Sequence, residues 1–167
     1  IIILTNIGSS EEDITRGLRA GKPPVFEPGL EDMIRSGLDS GHLRFTASLE
    51  ELPSDIELLW VAYDTPVNED DVADVDFVVA QVEAVLPHLP ADSAVLVSSQ
   101  MPVGSIRRME AIADKLFPEK ALRFAYSPEN LRLGKALDVF LKPDRIVVGV
   151  RSERDKEQIG RLLQPIT

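Results

Sequence analysis

The stretch Ile56-Glu57-Leu58-Leu59-Trp60-Val61-Ala62, followed by Asp64-Thr65-Pro66, decides the fold class. Its apolar side chains run almost without interruption, which is typical of a parallel strand that is covered on both faces. Proline cannot donate to a sheet ladder, so Pro66 indicates that the strand has ended before it. We therefore predict a central strand over residues 56–62 with a polar loop at its carboxyl end.

Short β-rich runs and longer helical patterns alternate on both sides of this strand. Further strands are predicted at residues 1–4, 43–46, 94–97, 122–125 and 146–150. Helices are predicted up to Gly21 and at about residues 28–36, 74–88, 103–117 and 153–163, the second with Leu30, Met33 and Ile34 facing inward. This alternation gives βαβ crossovers. It predicts an α/β fold, a doubly wound, mostly parallel Rossmann-like sheet with helices on both faces.

Composition excludes several classes of function. The formal net charge of -10 argues against a nucleic-acid partner, because phosphate contacts need clustered lysine and arginine. No apolar run approaches the ~20 residues of a membrane span, so no membrane partner is expected and a cytoplasmic location is predicted. The chain has no cysteine, and neither His42 nor His88 has partners at metal-ligand spacing. We therefore predict no metal site.

Small hydroxyl residues and prolines follow three of the predicted strands. The segments are Asp64-Thr65-Pro66, Ser98-Ser99-Gln100-Met101-Pro102-Val103-Gly104 and Ser127-Pro128-Glu129-Asn130-Leu131-Arg132. Ligands of doubly wound sheets bind at the carboxyl ends of the strands, so we expect these loops to converge on one crevice. Hydroxyl and N–H groups suit ribose and phosphate. The alternative is that the hydroxyls cap the following helices and the prolines end the strands.

A dinucleotide site of this kind usually opens with a strand followed by G-x-G-x-x-G. Nothing in the chain matches that pattern, and Gly8-Ser9-Ser10 lacks the other glycines. Either the chain does not bind a dinucleotide, or the glycine-rich segment lies outside these 167 residues.

Six motifs, in the same order, resemble those of the UDP-glucose/GDP-mannose dehydrogenase family. They are Pro24-Val25-Phe26-Glu27-Pro28-Gly29-Leu30, Leu43-Arg44-Phe45-Thr46, Thr65-Pro66 with Ala73-Asp74, Pro102-Val103-Gly104-Ser105, the segment Ser127-Pro128-Glu129-Asn130-Leu131-Arg132, and Pro143-Asp144-Arg145-Ile146-Val147-Val148-Gly149. The resemblance implies NAD as cofactor and a UDP-glucose-like nucleotide sugar as substrate. It implies that the sugar C6 hydroxyl is oxidised to the uronic acid, through a thioester on a cysteine, by a homodimeric protein.

The resemblance also implies roles for individual residues. Those implied to line the NAD site are Thr65, Pro66, Ser99, Gln100 and Leu133. Those implied to face the sugar are Glu129, Asn130, Leu131, Arg132 and Leu133, with Glu129 as the catalytic carboxylate. A carboxylate suits the hydrolysis of a thioester, which needs a base to position water. The alternative for Glu129 is an acid at a helix start, favoured by the helix dipole. Arg132 and Lys135 are the nearest cations for a diphosphate, or else solvated surface residues.

Three positions depart from the family pattern. Asp64 replaces a glycine, Gln100 a threonine and Leu133 a second glutamate. Residues 1–4 are implied to be the family's second strand. Residues 1–167 are therefore expected to form the NAD-binding domain without its glycine-rich first strand-turn, and without the downstream substrate domain that supplies a lysine and the cysteine.

The fragment alone is expected to be inactive. The alternative to an enzyme is a non-catalytic homologue that binds a nucleotide sugar or NAD as a sensor or partner subunit, which Gln100 and Leu133 favour. An unrelated Rossmann-like interaction domain is a third interpretation, against which the six ordered motifs argue.

Overall fold

The computed structural model describes residues 2–4, 11–62, 64–67, 69–70, 73–129, 131 and 134–166. The strands are β1 (Ile2–Leu4), β2 (Arg44–Thr46), β3 (Leu58–Val61), β4 (Ala94–Val97) and β5 (Arg123–Tyr126). The helices are α1 (Glu11–Arg19), α2 (Leu30–Asp39), α3 (Val75–Val85), α4 (Ser105–Leu116), α5 (Ala136–Leu141) and α6 (Glu153–Leu163). The chain divides into a first unit of residues 1–52 and 131–143 and a second unit of residues 53–130 and 144–167.

The first unit contains a two-stranded parallel sheet. Residues of β1 pair with β2 from Ile2–Arg44 to Leu4–Thr46. Helix α1 packs against β2, where the Arg19 guanidinium donates to the carbonyl of Phe45 over 2.8 Å. Gly21 follows α1 with a φ of 74°, and a Cβ there would lie 2.7 Å from Cγ of Arg35. Glycine is therefore required where the helix ends.

The second unit contains a three-stranded parallel sheet in the order β3-β4-β5. All four residues of the central strand β4 are buried. Leu96 packs with Ala125 of β5 and with Ile159 and Leu163 of α6. Side chains alternate across a strand, so Val95 and Val97 point to the opposite face. Their complete burial shows that this second face is covered as well.

A polar cluster lies at the amino ends of β4 and β5. Arg123, at the start of β5, forms ion pairs with Asp92 and with the buried Asp155 of α6, and Arg154 pairs with Asp92. The hydrogen bond from Arg154, followed by the positive charges of Arg154 and Arg123, lowers the pKa of the Asp92 carboxyl below its ordinary value despite some desolvation. The cluster joins α6 to the start of the sheet.

The predicted α/β class with parallel strands is confirmed, but three details are wrong. Residues 146–150 form no strand: they meet β5 only at its last residue, through a single antiparallel bridge between Tyr126 and Gly149. The helix predicted at residues 28–36 is α2, and Met33 is 48% exposed whereas Ile34 is buried. Helix α5 was not predicted.

Helices long and apolar enough to cross a membrane are absent from the described part of the chain. The same residues contain no group of three or more histidine, cysteine, aspartate or glutamate side chains that could hold a metal ion.

Candidate functional site

The three polar loops begin side by side at one edge of the second unit's sheet. Strands β3, β4 and β5 are parallel neighbours, so their carboxyl ends share that edge. The amide of Ser98 donates to the carbonyl of Val61 over 2.8 Å, and the amide of Ser127 donates to the carbonyl of Val97 over 2.9 Å. The ladder thus continues into the first residue of the loops after β4 and β5. The three loops therefore leave the sheet at one edge, and their convergence on one crevice stays a prediction.

A hydrogen bond joins two of these loops through residues that were predicted to line the cofactor site. The Thr65 hydroxyl donates to the backbone carbonyl of Gln100 over 2.6 Å. Pro66 is exposed, and its carbonyl accepts from the amide of Asp74 over 2.7 Å, just before α3. The loop after β3 is therefore held at both of its ends, and Thr65 lies against the loop after β4.

Two of the loop hydroxyls serve the structure itself. The indole N–H of Trp60 donates to Oγ of Ser98 over 2.8 Å. The Ser127 hydroxyl donates to the carbonyl of Val147 over 3.1 Å. Neither serine caps a helix through these bonds. The hydroxyls at the first positions of the loops after β4 and β5 are thus structural, and Trp60 is a partly buried residue packed against the core.

Ser99 differs from both of these serines. Its side chain is only 4% exposed, and its hydroxyl has no hydrogen-bond partner among the described residues. A buried hydroxyl without a partner costs roughly 1–3 kcal/mol, so such groups are rare and each one calls for a specific explanation. Ser99 lies next to Gln100, whose carbonyl binds Thr65. The orphaned hydroxyl fits a ligand rich in hydroxyl, amide and phosphate groups, such as NAD.

Helix α4 begins directly after this loop. Its N-cap residue Gly104 has a φ of 100° and supplies no side-chain cap, while Ser105 donates its hydroxyl backwards to the carbonyl of Pro102 over 2.8 Å. Backbone N–H groups of a first helical turn attract negative charge. The backbone N–H groups that begin α4 therefore follow Ser99 closely in the sequence. This arrangement is compatible with a phosphate-bearing cofactor.

The loop after β5 is described only in part. Glu129 is half-buried and Leu131 is 39% exposed, while Asn130, Arg132 and Leu133 lie outside the described residues. The first helix described after Glu129 is α5, which begins at Ala136. Glu129 is therefore not an acid at a helix start, and that alternative is wrong. Lys135 is exposed, just before α5.

One buried carboxylate was not predicted to have any role. Glu27, within the motif Pro24-Val25-Phe26-Glu27-Pro28-Gly29-Leu30, is only 8% exposed and accepts hydrogen bonds from the backbone N–H groups of Gly134 and Leu137. The signal in the sequence is a charged residue enclosed by prolines and apolar residues. Its partners lie more than 100 positions away, so periodicity could not identify them.

A groove of about 660 Å³ lies at the opposite edge of the sheet, around Asp55, Ser93, Arg123, Arg154 and Gln158. Arg123 and Arg154 are occupied by the ion pairs of the polar cluster, and Gln158 accepts from Arg123 over 2.7 Å. Ligands of parallel sheets bind at the carboxyl edge instead. We therefore assign the groove to the packing of α6 and not to the site.

Comparison with known proteins identifies the relationship. Residues 4–167 match the UDP-glucose/GDP-mannose dehydrogenase family, NAD binding domain. The chain is 38% identical over 152 residues to UDP-glucose 6-dehydrogenase of Pseudomonas aeruginosa, covering 89% of this chain and 34% of that protein. It is 31% identical over 159 residues to UDP-glucose 6-dehydrogenase of Rhizobium meliloti, covering 93% and 36%. The chain thus spans about a third of the length of these relatives.

Solved structures confirm the Rossmann-like fold. A UDP-glucose dehydrogenase from the archaeon Pyrobaculum islandicum superimposes with a TM-score of 0.80 at 34% identity, covering 93% of this chain and 37% of that one. A GDP-mannose dehydrogenase from Pseudomonas aeruginosa gives a TM-score of 0.86, covering 99% and 38%, and its 19% identity supports the fold alone.

Proposed function

The chain belongs to the UDP-glucose/GDP-mannose dehydrogenase family, and from that premise we propose that the full-length protein oxidises the C6 hydroxyl of a UDP-glucose-like nucleotide sugar to the uronic acid. NAD is the cofactor of the family's domain that this chain matches. We also propose that the protein acts as a homodimer, and light scattering of the full-length protein tests that part.

The observation that carries the proposal is the buried hydroxyl of Ser99 at the carboxyl edge of the parallel sheet, for which the described part of the chain supplies no hydrogen-bond partner. In the proposed site the hydroxyl gains a polar atom of NAD as its partner. Thr65 and Gln100 keep the two neighbouring loops together beside it, since their hydrogen bond joins one loop to the other. Pro66 and Leu133 complete the proposed lining. Bound NAD supplies the chemistry of hydride acceptance from the sugar carbon.

Glu129 is the proposed catalytic carboxylate. Its side chain is half-buried rather than solvated, and it stands in the loop that follows β5. A carboxylate in that position positions water and accepts its proton at a side-chain oxygen as the thioester is hydrolysed. The proposed sugar contacts are those of Asn130, Leu131, Arg132 and Leu133.

The second candidate is a non-catalytic homologue. Gln100 and Leu133 are the sequence features that favour it, and they do not support it equally. The link between the loops uses the backbone carbonyl of Gln100, which every residue type possesses. The exchange of threonine for glutamine at this position therefore leaves that link intact and argues little against catalysis. The other feature, Leu133, lies outside the described residues. Measured turnover separates the two candidates.

The decisive experiment supplies the full-length protein with NAD and UDP-glucose and follows NADH by its absorbance. Two oxidation steps predict two NADH for each sugar converted. Glu129→Gln should lower kcat by about 10²-fold or more, the usual contribution of general acid–base catalysis, with NAD binding nearly unchanged. The matched control is Glu119→Gln, an exposed carboxylate of the 3-10 helix Pro118–Lys120, which should leave kcat unchanged.

Two results contradict the proposal. If Glu129→Gln and the wild type turn over equally, Glu129 has no part in the reaction. If the wild type binds NAD but forms no NADH with UDP-glucose, GDP-mannose or N-acetylated UDP-sugars, the protein is a non-catalytic homologue.

A further inference from the structure

The first unit holds a buried carboxylate that binds distant backbone. Glu27 accepts from the amide of Gly134 over 2.5 Å and from the amide of Leu137 over 3.2 Å, one at each carboxylate oxygen. Its neighbours Val25 and Phe26 point outward, 45% and 86% exposed, whereas Glu27 itself is 8% exposed. The chain thus buries its charged residue and exposes its apolar ones at this turn. This reversal of the usual preference indicates a specific task for the carboxylate.

Glu27 is itself fixed by the start of α2. Its backbone carbonyl accepts from the amide of Leu30 over 3.1 Å, and Gly29 adopts a φ of 83° as the N-cap of the helix. A Cβ at Gly29 would lie 3.7 Å from a methyl carbon of Leu137, so the turn approaches α5 closely. A rigid turn on one element therefore aims an anionic acceptor at the amides that open α5.

The bond to Gly134 limits how far Leu131 can lie from Glu27. Leu131 stands three residues before Gly134, and three residues span at most about 11 Å even when fully extended. Charge-assisted hydrogen bonds to backbone N–H groups are about twice as strong as neutral ones, and they are directional. Glu27 thus limits the distance at which Leu131 can lie, although it does not itself belong to the polar loop.

We propose that Glu27 is a positioning residue for the nucleotide sugar: its carboxylate holds Gly134 and Leu137 and thereby places Leu131 for substrate binding. This inference rests on the proposed function, in which Leu131 contacts the sugar. Its effect is expected mainly on the sugar, because the described bonds of the Glu27 carboxylate go to Gly134 and Leu137, neither of which is proposed to line the NAD site.

The test uses Glu27→Gln in the full-length protein. An amide side chain keeps one oxygen acceptor but turns an NH₂ group toward the second backbone N–H, so one of the two bonds is lost. Loss of one charge-assisted hydrogen bond corresponds to roughly a 10-fold change in binding affinity. We expect KM for UDP-glucose to rise about 10-fold. KM for NAD and kcat should change less, because Leu133 is the one residue between Leu131 and Gly134 that is also proposed for the NAD site.

Glu51→Gln is the matched control in the same unit. The Glu51 carboxylate also accepts two bonds, from the Thr46 hydroxyl over 2.6 Å and from Arg19 over 3.0 Å, but it holds no residue of the 131–137 segment. Its substitution should lower the melting temperature without raising KM for the sugar. Hydrogen exchange provides the second readout: the amides of Gly134 and Leu137 should exchange faster in Glu27→Gln and at the wild-type rate in Glu51→Gln.

A lower melting temperature with unchanged KM for UDP-glucose in Glu27→Gln would reduce Glu27 to a structural role and overturn the inference. So would unchanged exchange at Gly134 and Leu137. If the wild type binds UDP-glucose in calorimetry without forming NADH, only the proposed catalysis fails, and the Kd of Glu27→Gln for UDP-glucose then decides the positioning role. A wild type that does not bind nucleotide sugars at all would overturn both.

Discussion

Substitution of Ser99 by alanine should stabilise the ligand-free protein while it weakens NAD binding. The Ser99 hydroxyl is buried and has no described partner, so the ligand-free protein bears the cost of its desolvation. That cost is roughly 1–3 kcal/mol, and alanine removes it while leaving the Cβ in place. Even the lower figure corresponds to a melting temperature about 2–4 °C higher for a domain of this size.

The same substitution should weaken NAD binding by about 10-fold, since the hydrogen bond proposed for the bound state contributes about 1 kcal/mol or more. Ser98→Ala is the matched control, because Ser98 is the adjacent residue and is 3% exposed against 4% for Ser99. Its hydroxyl accepts from the indole N–H of Trp60, so its removal should lower the melting temperature.

The assay is thermal unfolding of the full-length variants, with and without NAD, together with calorimetric titration of NAD. In the ligand-free state we expect the melting temperature of Ser99→Ala to lie above that of the wild type and the melting temperature of Ser98→Ala to lie below it. If Ser99→Ala melts below the wild type and binds NAD equally well, the hydroxyl serves the fold and the assignment of the loop fails.

Two further predictions follow from other contacts. Thr65→Val removes the hydrogen bond to the carbonyl of Gln100, so the two loops are no longer joined there. The Kd for NAD should rise several-fold, with little change in KM for the sugar. An unchanged Kd would show that Thr65 does not contribute to the cofactor site. Asp92→Asn should lower the melting temperature near pH 7, because the pKa of Asp92 is depressed in the folded state mainly by Arg154. That stabilisation is present above the unfolded pKa of about 3.9 and is lost as pH falls through the lower folded value. The melting temperatures of the wild type and of Asp92→Asn should therefore converge in acid. A difference in melting temperature that stays constant at every pH would contradict this prediction.

The strands could be predicted because a strand that is buried on both faces has an uninterrupted run of apolar residues in the sequence. The residues of β4 are all buried, and its four letters Ala94-Val95-Leu96-Val97 contain no polar side chain. Hydroxyls, turns and prolines then mark the carboxyl ends, since a loop must satisfy backbone groups that the sheet no longer pairs. The shared edge of the three loops follows from parallel topology alone.

Residues 146–150 show where pattern is insufficient. Ile146, Val148 and Val150 do pack against the core while Val147 is 59% exposed, which is the alternation of a strand. The ladder depends on how far two backbones overlap, and here the overlap with β5 is limited to Tyr126. Side-chain periodicity reports which face is buried and does not report the extent of pairing.

The roles of individual site residues depend on contacts across long sequence separations. Ser98, Ser99 and Ser127 are alike in the sequence, yet Trp60 and the carbonyl of Val147 occupy two of the hydroxyls, and Ser99 has no described partner. Glu27 likewise acquires its partners from a segment more than 100 residues later. Local composition could locate the loops but could not distinguish these side chains.

The structure of the full-length protein with bound NAD tests the central claim most directly. We predict a polar atom of NAD within about 3 Å of Oγ of Ser99, at the carboxyl ends of β3 and β4. NAD bound elsewhere, with the Ser99 hydroxyl still unpaired, would contradict the account.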